Sequence, residues 1–126
     1  MKILIVEDNE AVKRSLSILL GALGENDVTI VDSMSDALTA LHSIHIFDII
    51  FLDGEVVDGC TSSGDFICNI LAISPSAFVV AMSGREDVMR EQMFKGCHRS
   101  QDKARLDMKS LADIISEATD RQVKVA

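Results

Sequence analysis

The stretch Phe47-Asp-Ile-Ile-Phe-Leu-Asp53 is an apolar run that ends in a carboxylate. The first apolar run of the chain, Lys2-Ile-Leu-Ile-Val-Glu7-Asp8, also ends in acid, and a later run, Ala77-Phe-Val-Val-Ala-Met-Ser83, ends in a hydroxyl. Short apolar runs of this kind are consistent with buried strands. If the three are neighbouring parallel strands, three carboxylates and a serine meet at one edge of a sheet, which suits a hard cation and a phosphoryl group.

The composition predicts one domain with an aliphatic core. The chain has 126 residues, of which 48% are hydrophobic, but it has only five Phe and no Trp or Tyr. An aliphatic composition is typical of α/β proteins with buried parallel strands. The net charge of −8 argues against nucleic acid or an anionic membrane as a direct partner, because binding to phosphates requires a basic surface.

Cysteine usage and the N-terminus indicate a cytoplasmic protein. The three cysteines have no CxxC spacing, do not pair with histidines at zinc-ligand spacing, and are expected to be reduced: Cys60, Cys68 and Cys97. Only four apolar residues separate Lys2 from Glu7, so no signal peptide is recognisable. No apolar run approaches the roughly 18 residues that a membrane span requires.

Helical periodicity fills the intervals between the apolar runs, so a βα unit is predicted five times. Asn9 and Ser33 are candidate N-caps, while Gly24 and Pro75 are candidate helix ends. Alternating strands and helices predict a doubly wound α/β fold, with a parallel sheet, right-handed crossovers and helices on both faces. The fifth strand, 97–101, is polar and is therefore expected at an edge.

Five polar side chains are predicted to meet beyond the carboxyl ends of these strands: Glu7, Asp8, Asp53, Ser83 and Lys103. Two carboxylates ~4 Å apart repel by about 4 kcal/mol at an effective dielectric constant near 20, so gathering three requires a proton or a cation. Oxygen ligands that remain open to water suit Mg²⁺. An aspartate can attack phosphorus, and Ser83 and Lys103 would then bind the phosphoryl oxygens.

At these residues the chain resembles the receiver domains of bacterial two-component response regulators, over essentially its whole length. Lys2-Ile-Leu-Ile-Val-Glu7-Asp8-Asn9-Glu10 is similar to the family's opening strand and acidic pair. Asp53 matches the phosphoacceptor aspartate, and Ser83-Gly84 matches the hydroxyl residue and the small residue after it. Lys103 lies seven positions after Gly96, as in the family pattern.

The resemblance implies a fold and domain limits. The fold would be a flavodoxin-like receiver fold, with five parallel strands in the order 2-1-3-4-5. Residues 1–120 would form the domain, and 121–126 would be a frayed C-terminal tail.

The resemblance also implies a function and a set of roles. A sensor histidine kinase or phosphotransfer protein would donate a phosphoryl group to Asp53. Magnesium would be held by the side chains of Asp8 and Asp53, by Glu7 mainly through water, and by the backbone carbonyl of Glu55. Ser83 and Lys103 would move towards the phosphoryl group, and the surface formed by 84–104 would bind a downstream protein. Such a protein signals rather than turning over a substrate.

Four departures from the family pattern affect the parts around this site. The loop Gly54-Glu-Val-Val-Asp-Gly59 lacks the usual proline, and Ser100 stands where the family has its switch aromatic. Ala104 replaces the proline after the lysine, which makes a cis peptide bond there much less favourable. Glu55 and Arg85 flank the phosphoryl site and are expected to alter dephosphorylation.

Two other functions fit parts of the sequence. The altered loop and the missing aromatic are compatible with a receiver-like interaction module that no longer switches by phosphorylation. A Mg²⁺-dependent phosphatase of small substrates would also use an aspartate nucleophile. That function is disfavoured because Glu55, rather than a second aspartate, stands two residues after Asp53 and no capping domain is recognisable.

Overall fold

The structure is a computed structural model that describes residues 1–43, 46–55, 57–58 and 61–125. Side chains are described over the same residues except 57–58, 61–65 and 123–125. The described helices include none with the length and apolarity that a bilayer crossing demands.

Strands and helices alternate along the described chain as the sequence predicts. The strands are β1 (Lys2–Val6), β2 (Asp27–Val31), β3 (Ile49–Asp53), β4 (Val57–Asp58), β5 (Thr61–Ser62), β6 (Phe78–Ser83) and β7 (Arg99–Asp102). The helices are α1 (Glu10–Ala22), α2 (Met34–Ser43), α3 (Ser63–Ile73), α4 (Glu86–Phe94) and α5 (Met108–Val125), with a 3₁₀ turn at Lys103–Arg105.

The main sheet has five parallel strands in the order β2-β1-β3-β6-β7. Counted along the chain within this sheet, that order is 2-1-3-4-5, so the predicted doubly wound fold is confirmed. β1, β3 and β6 lie in the interior, and every residue of β3 and β6 is buried. The polar strand β7 lies at an edge, as predicted.

The sheet is covered by apolar side chains on both faces. On one face, alternate residues of the central strands pack against α1 and α5 through Leu16, Leu20, Leu111 and Ile114. On the other face they pack against α2 and α3 through Ala37, Leu41, Ile67 and Ile70. α4 contacts β6, β7 and α3. Alternation along buried strands therefore supplies two separate cores, one on each side of the sheet.

The predicted helix signals are found in the local geometry. Asn9 Oδ1 accepts a hydrogen bond from Val12 N at 3.1 Å, and Ser33 Oγ accepts one from Asp36 N at 3.1 Å. Gly24 follows α1 with φ +86°, a conformation that favours glycine.

Three features differ from the sequence-based picture or add to it. β4 and β5 form a short antiparallel pair that was not predicted, between Val57–Asp58 and Thr61–Ser62. β7 begins at residue 99 rather than 97, because His98 uses its ring to bond β6 and Cys97 turns into the core. α5 continues to Val125, so the helix does not end at the predicted domain limit of residue 120.

Candidate functional site

Parallel pairing brings the predicted polar side chains to one edge of the sheet. Glu7 directly follows β1, Asp53 is the last residue of β3, and Ser83 is the last residue of β6. Lys103 follows β7 at the same edge. Glu7, Asp53 and Ser83 are all buried, with exposed fractions of 0%, 1% and 0%.

Lys103 joins two of the carboxylates. Its Nζ lies 2.9 Å from Asp53 Oδ1 and 2.9 Å from Glu7 Oε2, and it donates a hydrogen bond to Glu7 Oε1 at 3.2 Å. The Glu7 Oε2 contact is an ion pair without hydrogen-bond geometry, and this buried oxygen has no hydrogen-bond partner among the described residues. One lysine therefore neutralises part of the charge of two buried acids.

Burial and charge act in opposite directions on these groups. Burial raises the pKa of Glu7 from 4.5 to about 7, although the hydrogen bonds from Lys103 and the Asn9 backbone lower it. For Lys103, burial alone would lower the pKa, but the hydrogen bonds to Glu7 and Asp53 outweigh it, and the pKa is raised. The lysine therefore stays charged at neutral pH, whereas Glu7 loses its proton near pH 7.

Three carboxylates approach closely enough to share a cation. One oxygen from each of Glu7, Asp8 and Asp53 lies within 4.8 Å of the others. Asp8 is exposed, while Glu7 and Asp53 are buried, so the group opens to solvent on one side. This donor set is all oxygen, which hard divalent cations such as Mg²⁺ prefer.

Ser83 is held by two neighbours on the opposite side of Asp53 from the acids of β1. Its Oγ donates a hydrogen bond to Glu55 Oε1 at 3.1 Å and accepts one from Arg85 N at 2.9 Å. The Arg85 guanidinium binds Asp87, at 2.8 Å for the shorter contact. The serine hydroxyl is therefore occupied by Glu55, which the sequence placed beside the phosphoryl site but not as a partner of Ser83.

The backbone after β3 is fixed from both sides. Glu55 N donates to Asp53 Oδ1 at 2.9 Å, and Gly54 N donates to Met82 O at 2.8 Å. Gln92 of α4 donates through Nε2 to Leu52 O at 2.9 Å. Sequence reasoning missed Gln92, because its position on a helix gives no signal that it reaches the end of a strand.

Ser100, at the position of the family's switch aromatic, is exposed on β7. It lines a groove between β7 and α4 together with Glu86, Met89, Arg90 and Met93. An inward-swinging aromatic ring therefore has no counterpart at this position. Any coupling between the acidic site and α4 must use other residues.

No model of a protein family and no curated protein matches the sequence. Solved structures do match. A CheY-like response regulator receiver domain protein from Methanospirillum hungatei JF-1 is 20% identical, with a TM-score of 0.84 and coverage of 99% of this chain and 98% of that one. A CheY-like receiver domain from Methylobacillus flagellatus is 26% identical, with a TM-score of 0.80 and coverage of 94% and 98%.

A third solved structure also matches the whole chain. It is a response regulator protein from Burkholderia pseudomallei with a phosphorylated aspartic acid, calcium ion and citrate. It is 20% identical, with a TM-score of 0.76 and coverage of 99% of this chain and 72% of that one. The resemblance first seen in the sequence is confirmed, and the chain has the fold of the response-regulator receiver domains over its whole length.

Proposed function

We propose that this protein is a two-component signalling receiver that accepts a phosphoryl group on Asp53. The donor is a phosphohistidine on a sensor kinase or a phosphotransfer protein in the cytoplasm. The protein is a phosphoacceptor that promotes its own modification, and it is not a turnover enzyme.

One observation carries this proposal, the convergence of groups around a single buried carboxylate. Asp53 lies beside Lys103 at 2.9 Å and within the cluster that includes Glu7 and Asp8. Ser83 ends the neighbouring strand in register one residue beyond Asp53. A nucleophile, a fixed positive charge, an acidic pair and a hydroxyl at one sheet edge supply the parts that phosphoryl transfer to a carboxylate needs.

The acidic cluster fits a magnesium ion. Its oxygen donors and its opening to solvent at Asp8 suit a hydrated hard cation. Asp8 and Asp53 would hold it by side chain, Glu7 through water, and the Glu55 carbonyl would complete the set. The ion held there would supply positive charge against the phosphoryl oxygens.

The transfer step requires only the phosphohistidine and a proton from solvent. A carboxylate oxygen of Asp53 forms a bond to phosphorus while the P–N bond of the phosphohistidine breaks. The imidazole leaves with the electron pair and takes a proton from solvent. Lys103 stays protonated and stabilises the negative charge on the transferred group.

The modification changes what Ser83 and Lys103 bind. A phosphoryl group on Asp53 offers Ser83 an acceptor that competes with Glu55 and offers Lys103 one that competes with Glu7. These exchanges would alter the surface formed by 84–104, where Phe94 is 88% exposed. We propose that a downstream protein binds this surface and reads its state.

Beryllium fluoride with Mg²⁺ tests the proposal, because it mimics a phosphoryl group on a carboxylate. We expect amide NMR shifts around residues 53, 83 and 103, and none for Asp53→Asn. Wild-type protein without shifts would favour the receiver-like module that does not switch. Steady hydrolysis of a small phosphate ester would instead favour the phosphatase.

A further inference from the structure

Gln92 of α4 reaches into the end of β3. Gln92 is only 2% exposed, and its Nε2 donates a hydrogen bond to Leu52 O at 2.9 Å. Leu52 immediately precedes Asp53 in β3. The described hydrogen bonds thus include a direct link from α4 to the backbone beside the proposed phosphoacceptor.

Gly54 makes this approach possible from the other side of Asp53. A Cβ atom at this position would lie 2.5 Å from Gln92 Oε1 and 2.5 Å from Val88 Cγ1. Contacts this short are excluded sterically, so a side chain at position 54 would force the side chains of Gln92 and Val88 to move. Gln92 therefore packs against the residues on both sides of Asp53, with no spare room.

The buried amide of Gln92 is only half satisfied. Its Oε1 has no hydrogen-bond partner within the described part of the chain. A buried acceptor without a partner disfavours the arrangement that contains it. The free-energy difference between this position of α4 and a displaced position is therefore reduced. A small difference allows a modification at Asp53 to shift the population from one position to the other.

We propose that Gln92 is a positioning residue that links the state of Asp53 to α4. It would take the role of the family's switch aromatic, whose position is occupied here by Ser100. This inference rests on the proposed function. A phosphoryl group on Asp53 would disturb the bond from Glu55 N to Asp53 Oδ1 and hence the backbone at Gly54. Because Gln92 packs against Gly54 and bonds Leu52 O, a shift of that backbone would displace the Gln92 side chain, and α4 would move with it.

The test compares wild-type protein with Gln92→Met, which keeps an unbranched side chain of similar length but removes the donor. Glu91→Met, at an exposed site of the same helix, is the matched control. Hydrogen exchange of the amides of 86–94 is measured with Mg²⁺, with and without beryllium fluoride. Binding of the mimic is followed separately by fluorine NMR.

We expect beryllium fluoride to change α4 exchange in wild type and Glu91→Met by roughly five- to tenfold, the scale of one hydrogen bond. Gln92→Met should bind the mimic but show the same α4 exchange with and without it. Gly54→Ala should raise α4 exchange before the mimic is added, since its Cβ displaces Gln92.

Each other outcome overturns the inference. If Gln92→Met responds as wild type does, or Gly54→Ala leaves α4 exchange unchanged, Gln92 is not the link. If wild type binds the mimic but α4 does not respond, this inference fails while the phosphoacceptor role stands. If wild type does not bind the mimic, both fail.

Discussion

Glu7 is a buried acid whose ionisation is opposed by its surroundings. Its pKa is raised from 4.5 to about 7, chiefly by burial. In the unfolded chain the proton leaves near the lower value, so between these pH values the folded state binds more protons. Without a cation, the contribution of Glu7 to the free energy of unfolding should therefore fall as pH rises from about 4.5 to about 7.

Magnesium should reverse that loss. Because it binds the ionised cluster, we expect Mg²⁺ to stabilise the fold more at pH 8 than at pH 5. At about ten times the dissociation constant, the melting temperature at pH 8 should rise by roughly 3 to 6 °C. Calorimetry of wild type and Glu7→Gln checks this, since the variant should lose the part of the pH dependence that comes from Glu7. Equal stabilisation by Mg²⁺ at both pH values would contradict it.

Glu55 holds the hydroxyl of Ser83, which the proposed function needs for the phosphoryl group. Glu55→Ala frees Ser83 and removes a negative charge from beside the incoming group. Repulsion between unit charges about 4 Å apart is worth about 1 to 4 kcal/mol, depending on the local dielectric constant. Phosphorylation by acetyl phosphate should therefore be roughly fivefold faster or more, as measured by intact mass over time.

Glu86→Ala is the control for that change. Glu86 is exposed and pairs with Arg90 at 3.4 Å, so its loss changes net charge equally without touching Ser83. Its rate should stay close to that of wild type. If Glu86→Ala and Glu55→Ala were accelerated alike, the effect would come from net charge and not from the Ser83 contact.

At the scale of elements, the strands that the sequence predicts best are those with the strongest burial. In β3 and β6 only the last residue is polar, and both strands are buried along their length. β7 is polar, and its start depends on a side-chain bond that no local pattern indicates. The β4–β5 pair depends on the path of the loop after Asp53, which departs from the family pattern.

His98 fixes where β7 begins. Its Nδ1 accepts a hydrogen bond from Val79 N at 2.9 Å, its own N donates to Val79 O at 2.8 Å, and its ring stacks on Phe78. Nδ1 must be unprotonated to accept, and burial lowers the pKa of the ring, with Arg121 adding to the shift.

The stability contributed by neutral His98 should be complete above pH 6.5, the ring's usual pKa, and should be lost as pH falls below it. Urea unfolding between pH 7 and pH 5 measures this loss. His98→Asn keeps an acceptor that does not titrate, so wild type should lose stability relative to this variant as pH falls from 7 to 5. A variant that loses as much stability as wild type over this range would show that His98 is not the titrating group.

At the scale of the whole molecule, the site was predictable where it follows from topology. Parallel strands in a doubly wound sheet place their carboxyl ends at one edge, so the meeting of Glu7, Asp53 and Ser83 follows from the order of the strands. Contacts between distant loops and helices do not follow in this way. Ser83 and Glu55 are 28 residues apart, and Gln92 and Leu52 are 40 residues apart. Both contacts depend on how α4 and the segment after β3 pack against the sheet.

The most direct test of the phosphoacceptor role is the intact mass of the protein after incubation with acetyl phosphate. Wild-type protein with Mg²⁺ should gain the mass of one phosphoryl group. Wild type with a chelator, and Asp53→Asn with Mg²⁺, should gain none. No gain in wild type, or an equal gain in Asp53→Asn, would contradict the role assigned to Asp53.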